Sequence, residues 1–141
     1  MGADICMFIE HKDSGVNKWN LVKNSSWSHN IVPIDRNNAL FHILCGYNKK
    51  DFDELPVICE YKGLPSDIDK EIAFLLEDLA FTSYLSLEEI QNFDWNKEVY
   101  YFGEKCKLFE IAGEFFTETI FYMLSIDKDY QNVRIVFGLS L

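Results

Sequence analysis

The stretch that most constrains the fold is the opening one, residues 3–10, with the sequence Ala-Asp-Ile-Cys-Met-Phe-Ile-Glu. It predicts a first β-strand, in which alternate side chains share a face. One face is wholly apolar and is expected to belong to the core, with Ala3, Ile5, Met7 and Ile9. The opposite face mixes polar and apolar groups, with Asp4, Cys6, Phe8 and Glu10.

The mixed face of this strand has two interpretations. Asp4 and Cys6 would lie roughly 7 Å apart along the strand, close enough to converge on one small ligand or metal ion. Alternatively, Asp4 caps the strand end, Cys6 is a small core residue and Glu10 lies where the strand meets solvent. The second interpretation is favoured, because buried cysteines are common and acids at strand ends are ordinary.

Composition limits the class of protein. A chain of 141 residues with 48% hydrophobic and 26% charged residues is expected to form one globular domain, residues 1–141. The net charge is −10 and the sequence pI is about 4.6. An acidic chain lacks the basic footprint of non-specific nucleic-acid binding and is disfavoured at an anionic membrane surface. We therefore expect neither nucleic acid nor membrane among its partners.

Cysteine usage and the absence of targeting signals suggest a compartment. The chain has three His and no CxxC pair, so zinc-finger spacing is absent. Asp4 and Glu10 interrupt the apolar start, which argues against a signal peptide. The expectation is a soluble cytoplasmic protein with reduced thiols, in the host cytoplasm if the protein is viral. The four cysteines are Cys6, Cys45, Cys59 and Cys106.

The first half of the chain predicts a hairpin and two helices. A turn at residues 12–18 separates the first strand from a short strand at residues 19–22. A helix is predicted over residues 36–45, with Asp35 as its N-cap and Gly46 as its C-cap. A second helix follows Ser66 or Asp67, either of which can cap it.

The second half predicts two more helices between extended segments. Ser86 and Glu89 have the spacing of a capping box that starts a short helix. A strand is predicted over residues 98–102 and a long helix over about 106–125. Residues 133–139 are strongly apolar, which suits a central strand beside the first one. The predicted fold class is α+β: a small mixed sheet with the N- and C-terminal strands central and three to four helices packed on it.

Polar residues at two other places complete a candidate pocket. Arg36, Asn37 and Asn38 lie in the first turn of the predicted helix, where free backbone N–H groups favour an anion. Lys62 precedes Gly63, which permits close backbone approach. A surface ion pair at Arg36 and a plain tight turn at Lys62 explain the same residues. The candidate ligand-binding set is Asp4, Cys6, Glu10, Arg36, Asn37 and Lys62.

Four segments together resemble a known family. They are Gly-Ala-Asp-Ile-Cys-Met-Phe-Ile-Glu at 2–10, Arg-Asn-Asn-Ala-Leu-Phe at 36–41, Gly-Leu-Pro-Ser-Asp at 63–67 with Ser-Tyr-Leu-Ser-Leu-Glu-Glu at 83–89, and Val-Arg-Ile-Val-Phe at 133–137. In this order they resemble a family of uncharacterised small proteins of bacteriophages, bacteria and large DNA viruses. The family has no established activity, so the resemblance implies no mechanism. A viral relative could use a polar pocket to sequester a host signal.

The chain departs from the family pattern at candidate positions. The family has His where this chain has Cys6 and Arg where it has Lys62, and it favours Tyr over Asn38. It often closes with Asp-Asn where this chain has Ser140 and Leu141. Cys binds soft metals but is a poor proton shuttle, and Lys lacks the bidentate geometry of Arg. These departures argue against an enzyme.

Three functions remain as hypotheses. The first is a non-enzymatic module that binds a small polar or nucleotide-like ligand, with Arg36 and Lys62 on phosphate. The second is a metal-assisted hydrolase using Asp4, Cys6 and Glu10, with a Cys–His pair as a variant. The third is a structural or interaction protein that forms homo-oligomers through an aromatic-rich surface. The sequence predicts no particular cofactor.

Overall fold

The first and last strands lie side by side in the middle of a four-stranded sheet. The computed structural model describes residues 2–13 and 15–141. The sheet order is β2-β1-β6-β3, and β4 and β5 form a separate hairpin. The strands are β1 (Asp4–Lys12), β2 (Trp19–Leu21), β3 (Ala80–Ser86), β4 (Glu98–Tyr101), β5 (Glu104–Lys107) and β6 (Val133–Ser140).

Six α-helices accompany the strands in the part of the chain that the structure describes, so the α+β class is confirmed. They are α1 (Asn38–Cys45), α2 (Lys49–Phe52), α3 (Lys70–Leu76), α4 (Leu87–Asn92), α5 (Leu108–Ala112) and α6 (Ile120–Leu124). The central position of the terminal strands is also confirmed. Every described strand pair is antiparallel, whereas a mixed sheet was expected. The helices outnumber the expected three to four because α2 was not predicted and because the expected long helix is divided into α5 and α6.

Both faces of the sheet are covered. On one face, Met7 and Ile9 belong to the large apolar cluster that includes α1, α5 and α6. On the other face, Ile72 and Leu76 of α3 pack with Phe8 and Val136 in a smaller cluster. The mixed face of β1 is therefore not open to solvent along its whole length, because α3 lies over its centre.

Side-chain caps place the helices two to three residues later than expected. Asn37, not Asp35, caps α1: its Oδ1 accepts from the N–H of Leu40 at 3.1 Å. Asp69, not Ser66 or Asp67, caps α3 by accepting from the N–H of Glu71 at 2.9 Å. The Ser86 capping box of α4 and the left-handed Gly46 after α1 are confirmed.

Two strands were missed. Residues 82–84, expected as a polar junction, lie in β3, where the buried Ser83 hydroxyl accepts from the N–H of Lys62 at 3.0 Å. Residues 104–107 pair with β4, so the long helix begins at Leu108 instead of about 106. That helix is interrupted at Gly113 and resumes through a π-helical turn, Phe115–Thr119, into α6. Ser14, part of the expected turn between β1 and β2, lies outside the described residues.

Candidate functional site

The structure does not bring the six candidate residues into one pocket. Asp4 and Glu10 are both on β1 but six residues apart, which is roughly 20 Å along a strand. Asp4, Arg36 and Asn37 gather at the start of α1, whereas Glu10 contacts the loop before α3. The six residues therefore lie in separate places, with α3 covering the middle of β1 between Asp4 and Glu10.

At the N-terminal end of β1, Asp4 and Arg36 form a bidentate ion pair. Nε and Nη2 of Arg36 donate to the two carboxylate oxygens of Asp4 at 3.1 and 2.9 Å. The Arg36 guanidinium holds the pKa of the Asp4 carboxyl below its usual value. The N–H of Ala3 donates to Oδ1 of Asn38 at 3.1 Å. These bonds connect the start of β1 to the start of α1.

Both amide atoms of the Asn37 side chain bond to backbone groups of the protein. Its Oδ1 caps α1, and its Nδ2 donates to the carbonyl of Ile111 in α5 at 2.8 Å. Clefts of about 220 and 340 Å³ lie beside it. These two bonds place Asn37 as a helix cap and as a link between α1 and α5.

Cys6 lies half-buried beneath α3. It is opposite Gly138 in the β1–β6 register and packs at the edge of the smaller apolar cluster. Burial raises the pKa of its thiol. Within residues 2–13 and 15–141, no three His, Cys, Asp or Glu side chains are grouped so as to hold a metal ion. The proposed ligand trio Asp4, Cys6 and Glu10 receives no support as a metal site, since both carboxylates pair with guanidinium groups.

The described hydrogen bonds of the histidine rings go to groups other than the thiols. His42 contacts the carbonyls of Tyr47 and Leu55 through its two ring nitrogens, at 2.9 and 3.0 Å. His11 contacts Asp127, and His29 contacts Ser28. No described hydrogen bond joins a histidine to a cysteine, so the Cys–His pair receives no support.

Near the C-terminal end of β1, Glu10 is the centre of a buried ionic network. Its Oε1 accepts from Nε of Arg134 at 2.7 Å, and its Oε2 accepts from the N–H of Asp69 at 2.8 Å. Nη1 of Arg134 donates to Oδ1 of Asp67 at 3.0 Å. Glu10 is fully buried and Arg134 is 5% exposed. Burial raises the pKa of Glu10, and the Asp69 N–H and Arg134 act in the opposite direction.

Aromatic rings enclose the cation of this network. The Arg134 guanidinium carbon lies 3.9 Å from the centre of the Trp19 ring and 5.6 Å from that of Tyr84. Lys62 stacks on the same Tyr84, with Nζ 4.1 Å from the ring centre, and donates to Glu89 at 3.1 Å. Of the candidate residues, Glu10 and Lys62 thus belong to one cluster.

A groove opens beside Trp19, between β2 and the entry to α3. Its volume is about 640 Å³. Three acids and three lysines face it, and no ion pair among the described residues involves any of these lysines. We call it the Trp19 groove; its lining is Lys18, Trp19, Asn20, Leu21, Lys23, Asp67, Ile68, Asp69, Lys70 and Glu71.

Arg134 is the residue that sequence reasoning missed. It lies in the sequence Val-Arg-Ile-Val-Phe at residues 133–137, in which the other four residues are apolar. A charge in the centre of such a strand has to be compensated inside the fold, which is a usable signal. The structure leaves Nη2 of Arg134 buried and without a partner among the described residues. A charged donor in that state costs free energy that an added acceptor would recover.

Comparison of the chain with protein-family models, curated proteins and solved structures gives no match. Among the helices that the structure describes, none has the length and apolar character to cross a membrane.

Proposed function

We propose that the protein is a non-enzymatic binding module for a small ligand that carries a phosphate or carboxylate group, held in the Trp19 groove. The observation that carries the proposal is Arg134. Its guanidinium lies directly behind Trp19 and Asp67, two residues that line the groove. One of its outer nitrogens has no described partner.

The binding step is an exchange of anions on Arg134. Asp67 accepts from Nη1 of Arg134 only, and its side chain is 61% exposed. The Asp67 side chain can therefore rotate into solvent at a small cost in free energy. An incoming phosphate or carboxylate in its place would accept from both Nη1 and Nη2, the bidentate geometry that guanidinium groups favour. Access to Nη2 requires a rotation of the Asp67 and Trp19 side chains.

Lysines around the rim support the same ligand class. Lys18, Lys23 and Lys70 are exposed along the Trp19 groove. In a chain of net charge −10, these three lysines offset the three acids that line the groove, so the groove repels an anion less than the rest of the acidic surface does. The nucleotide-like ligand expected from the sequence falls within this class, and its base would lie beside Trp19.

The resemblance to phage and viral proteins stays a prediction. Combined with an anion-binding groove, it suggests that the protein sequesters a small anionic signal molecule of a host. Native mass spectrometry of the purified protein, before and after denaturation, would detect such a ligand as a mass that is lost on unfolding.

Calorimetric titration with pyrophosphate and with citrate at low salt tests the groove directly. Asp67→Asn removes the competing carboxylate and should strengthen binding about two- to fivefold, the range set by a partly exposed ion pair. The double variant Lys23→Ala/Lys70→Ala should weaken it. Lys97→Ala, an exposed lysine outside the groove, is the matched control and should change nothing. No heat of binding with either wild type or Asp67→Asn would refute the proposal.

A further inference from the structure

The hairpin β4–β5 ends in an aromatic residue that its turn does not favour. Tyr101 pairs with Glu104, so Phe102 and Gly103 are the two turn residues. Both have positive φ, 52° and 77°, as a type I′ turn requires. Asn, Asp and Gly suit these positions, whereas a bulky side chain is strained there. The conformation of the turn therefore gives no reason for phenylalanine at position 102.

Packing gives no sufficient reason either. The Phe102 residue is 86% exposed, and its described aromatic contact is with its neighbour Tyr101, at 4.5 Å between ring centres. Tyr100 is 66% exposed on the same hairpin. An exposed cluster of aromatic side chains is characteristic of protein interaction sites.

A groove of about 250 Å³ separates this hairpin tip from α2 and the residues that follow it. The hairpin supplies aromatic rings, and the α2 side supplies Phe52 and three exposed carboxylates. None of these carboxylates takes part in an ion pair within the described residues, and Lys49 nearby is paired with Glu60. We call it the tip groove; its lining is Asp51, Phe52, Asp53, Glu54, Leu55, Tyr100, Tyr101 and Phe102.

We propose that the tip groove docks a basic segment of a partner protein, with one arginine or lysine side chain inserted between the rings and the carboxylates. Aromatic faces attract a cation, and this attraction strengthens when the cation is desolvated. Asp53 and Glu54 complement its charge, and Asp51 adds a third carboxylate although it also accepts from Asn48. Phe102 packs on the apolar part of the same partner.

Charge decides against a second copy of this chain as the occupant. Each copy carries a net charge of −10, and the tip groove itself is acidic, so two copies meeting there would repel each other. Lys50 is the one exposed basic neighbour in α2 without a described ion pair. A basic partner, by contrast, is attracted over a distance and oriented toward the groove.

The test uses a fluorescein-labelled nonapeptide of alternating arginine and leucine, followed by fluorescence anisotropy. Phe102→Asn creates the Asn-Gly pair that a type I′ turn favours, so the hairpin should be at least as stable as in the wild type. We expect this variant to bind the peptide about tenfold more weakly, the usual loss when an aromatic anchor is removed. Asp53→Asn/Glu54→Gln should weaken binding in the same way.

Two matched controls test whether peptide binding depends on the tip groove or only on the total exposed charge and apolar surface of the protein. Phe121→Ala removes another phenylalanine, which is 65% exposed on α6. Glu77→Gln/Asp78→Asn removes two exposed charges after α3. Both should bind like the wild type, and a peptide with citrulline in place of arginine should not bind.

Three results would overturn the proposal. They are equal losses in the control variants, wild-type binding of the citrulline peptide, and no binding of the arginine peptide at low salt. A dimer of the wild type that Phe102→Asn dissociates, measured by sedimentation, would assign the groove to a second copy instead. Thermal unfolding of every variant checks that a loss of binding is not a loss of fold.

Discussion

At the scale of single residues, Cys45 shows how burial suppresses chemistry. Its side chain is fully buried, its Sγ donates to the carbonyl of Phe41 at 3.3 Å, and burial raises the pKa of the thiol to about 12. The thiolate is the nucleophile, so its population near neutral pH is negligible. We expect iodoacetamide at pH 8 to leave Cys45 unmodified in the native protein and to modify all four cysteines after denaturation. Peptide mass spectrometry reads this out.

The partly exposed Cys59 is the internal reference for that experiment. Native Cys45 alkylated as fast as Cys59 would contradict the buried position of α1. The same reasoning explains why the sequence left thiol chemistry open: residue type and spacing do not reveal burial.

Asp4 provides a prediction about acid stability. Arg36 lowers the folded-state pKa of Asp4 below its usual value of 3.8. The ion pair therefore stabilises the fold at pH above that usual value, and its contribution is lost as the pH falls through the folded-state pKa. Asp4→Asn should be less stable than the wild type at pH 7, and the difference should shrink at pH 3. Urea unfolding at the two pH values measures it.

Added salt is the control for the electrostatic origin of the Asp4 effect. Because the pair is exposed, 1 M NaCl should also reduce the difference between Asp4→Asn and the wild type. A difference that persists unchanged at pH 3 would mean that Asp4 acts through its shape and not through its charge.

At the scale of elements, the interruption between α5 and α6 depends on one glycine. Gly113 has φ 57° and ψ −128°, a conformation open essentially to glycine alone. A Cβ there would meet no atom within 4 Å, so the cost of Gly113→Ala is backbone strain. We expect a loss of about 1–3 kcal/mol in the free energy of unfolding, measured with urea.

Gly15→Ala is the control for the added methyl group, since a Cβ at Gly15 also meets no atom within 4 Å. A Gly113→Ala variant as stable as the control would mean that the chain bends elsewhere between α5 and the π-helical turn.

Elements defined by local signals could be predicted, and those defined by distant partners could not. The alternation of β1, the Ser86–Glu89 capping box and Gly46 carry their structure in a few adjacent residues. Asn37 caps α1 in place of the expected Asp35, and its amide nitrogen also donates to the carbonyl of Ile111. That second contact involves a residue 74 positions away, so the sequence could not indicate it. β3 was missed because Ser83 is polar, and its hydroxyl is satisfied by Lys62, 21 residues away.

At the scale of the whole molecule, the segments behind the family resemblance meet in two clusters. Asp4 and Arg36 join the first two segments at one end of the sheet. Glu10, Asp67 and Arg134 join three segments at the other end. The sequence hypothesis placed Glu10 and Lys62 in one pocket but did not include Arg134. Arg134 is 124 residues from Glu10, so only the β1–β6 register brings them together.

This network links β1, β6 and the entry to α3, and its stability can be tested with a double-mutant cycle. Glu10→Leu leaves the buried Arg134 cation without its main partner and should cost about 3–5 kcal/mol in the free energy of unfolding. Arg134→Met leaves the Glu10 carboxylate buried and should cost a similar amount. The double variant removes both charges, so it should lose about 2–3 kcal/mol less than the sum of the single variants.

Urea unfolding followed by circular dichroism measures the cycle, and Glu118→Leu, an exposed acid beside α6, is the control. Additive losses would show that the two charges do not depend on each other. Coupled losses would show that the network is held by mutual compensation, as the 2.7 Å bond between Arg134 and Glu10 implies. In that case Glu10 would also keep the guanidinium in place if the proposed anion displaced Asp67 from Arg134.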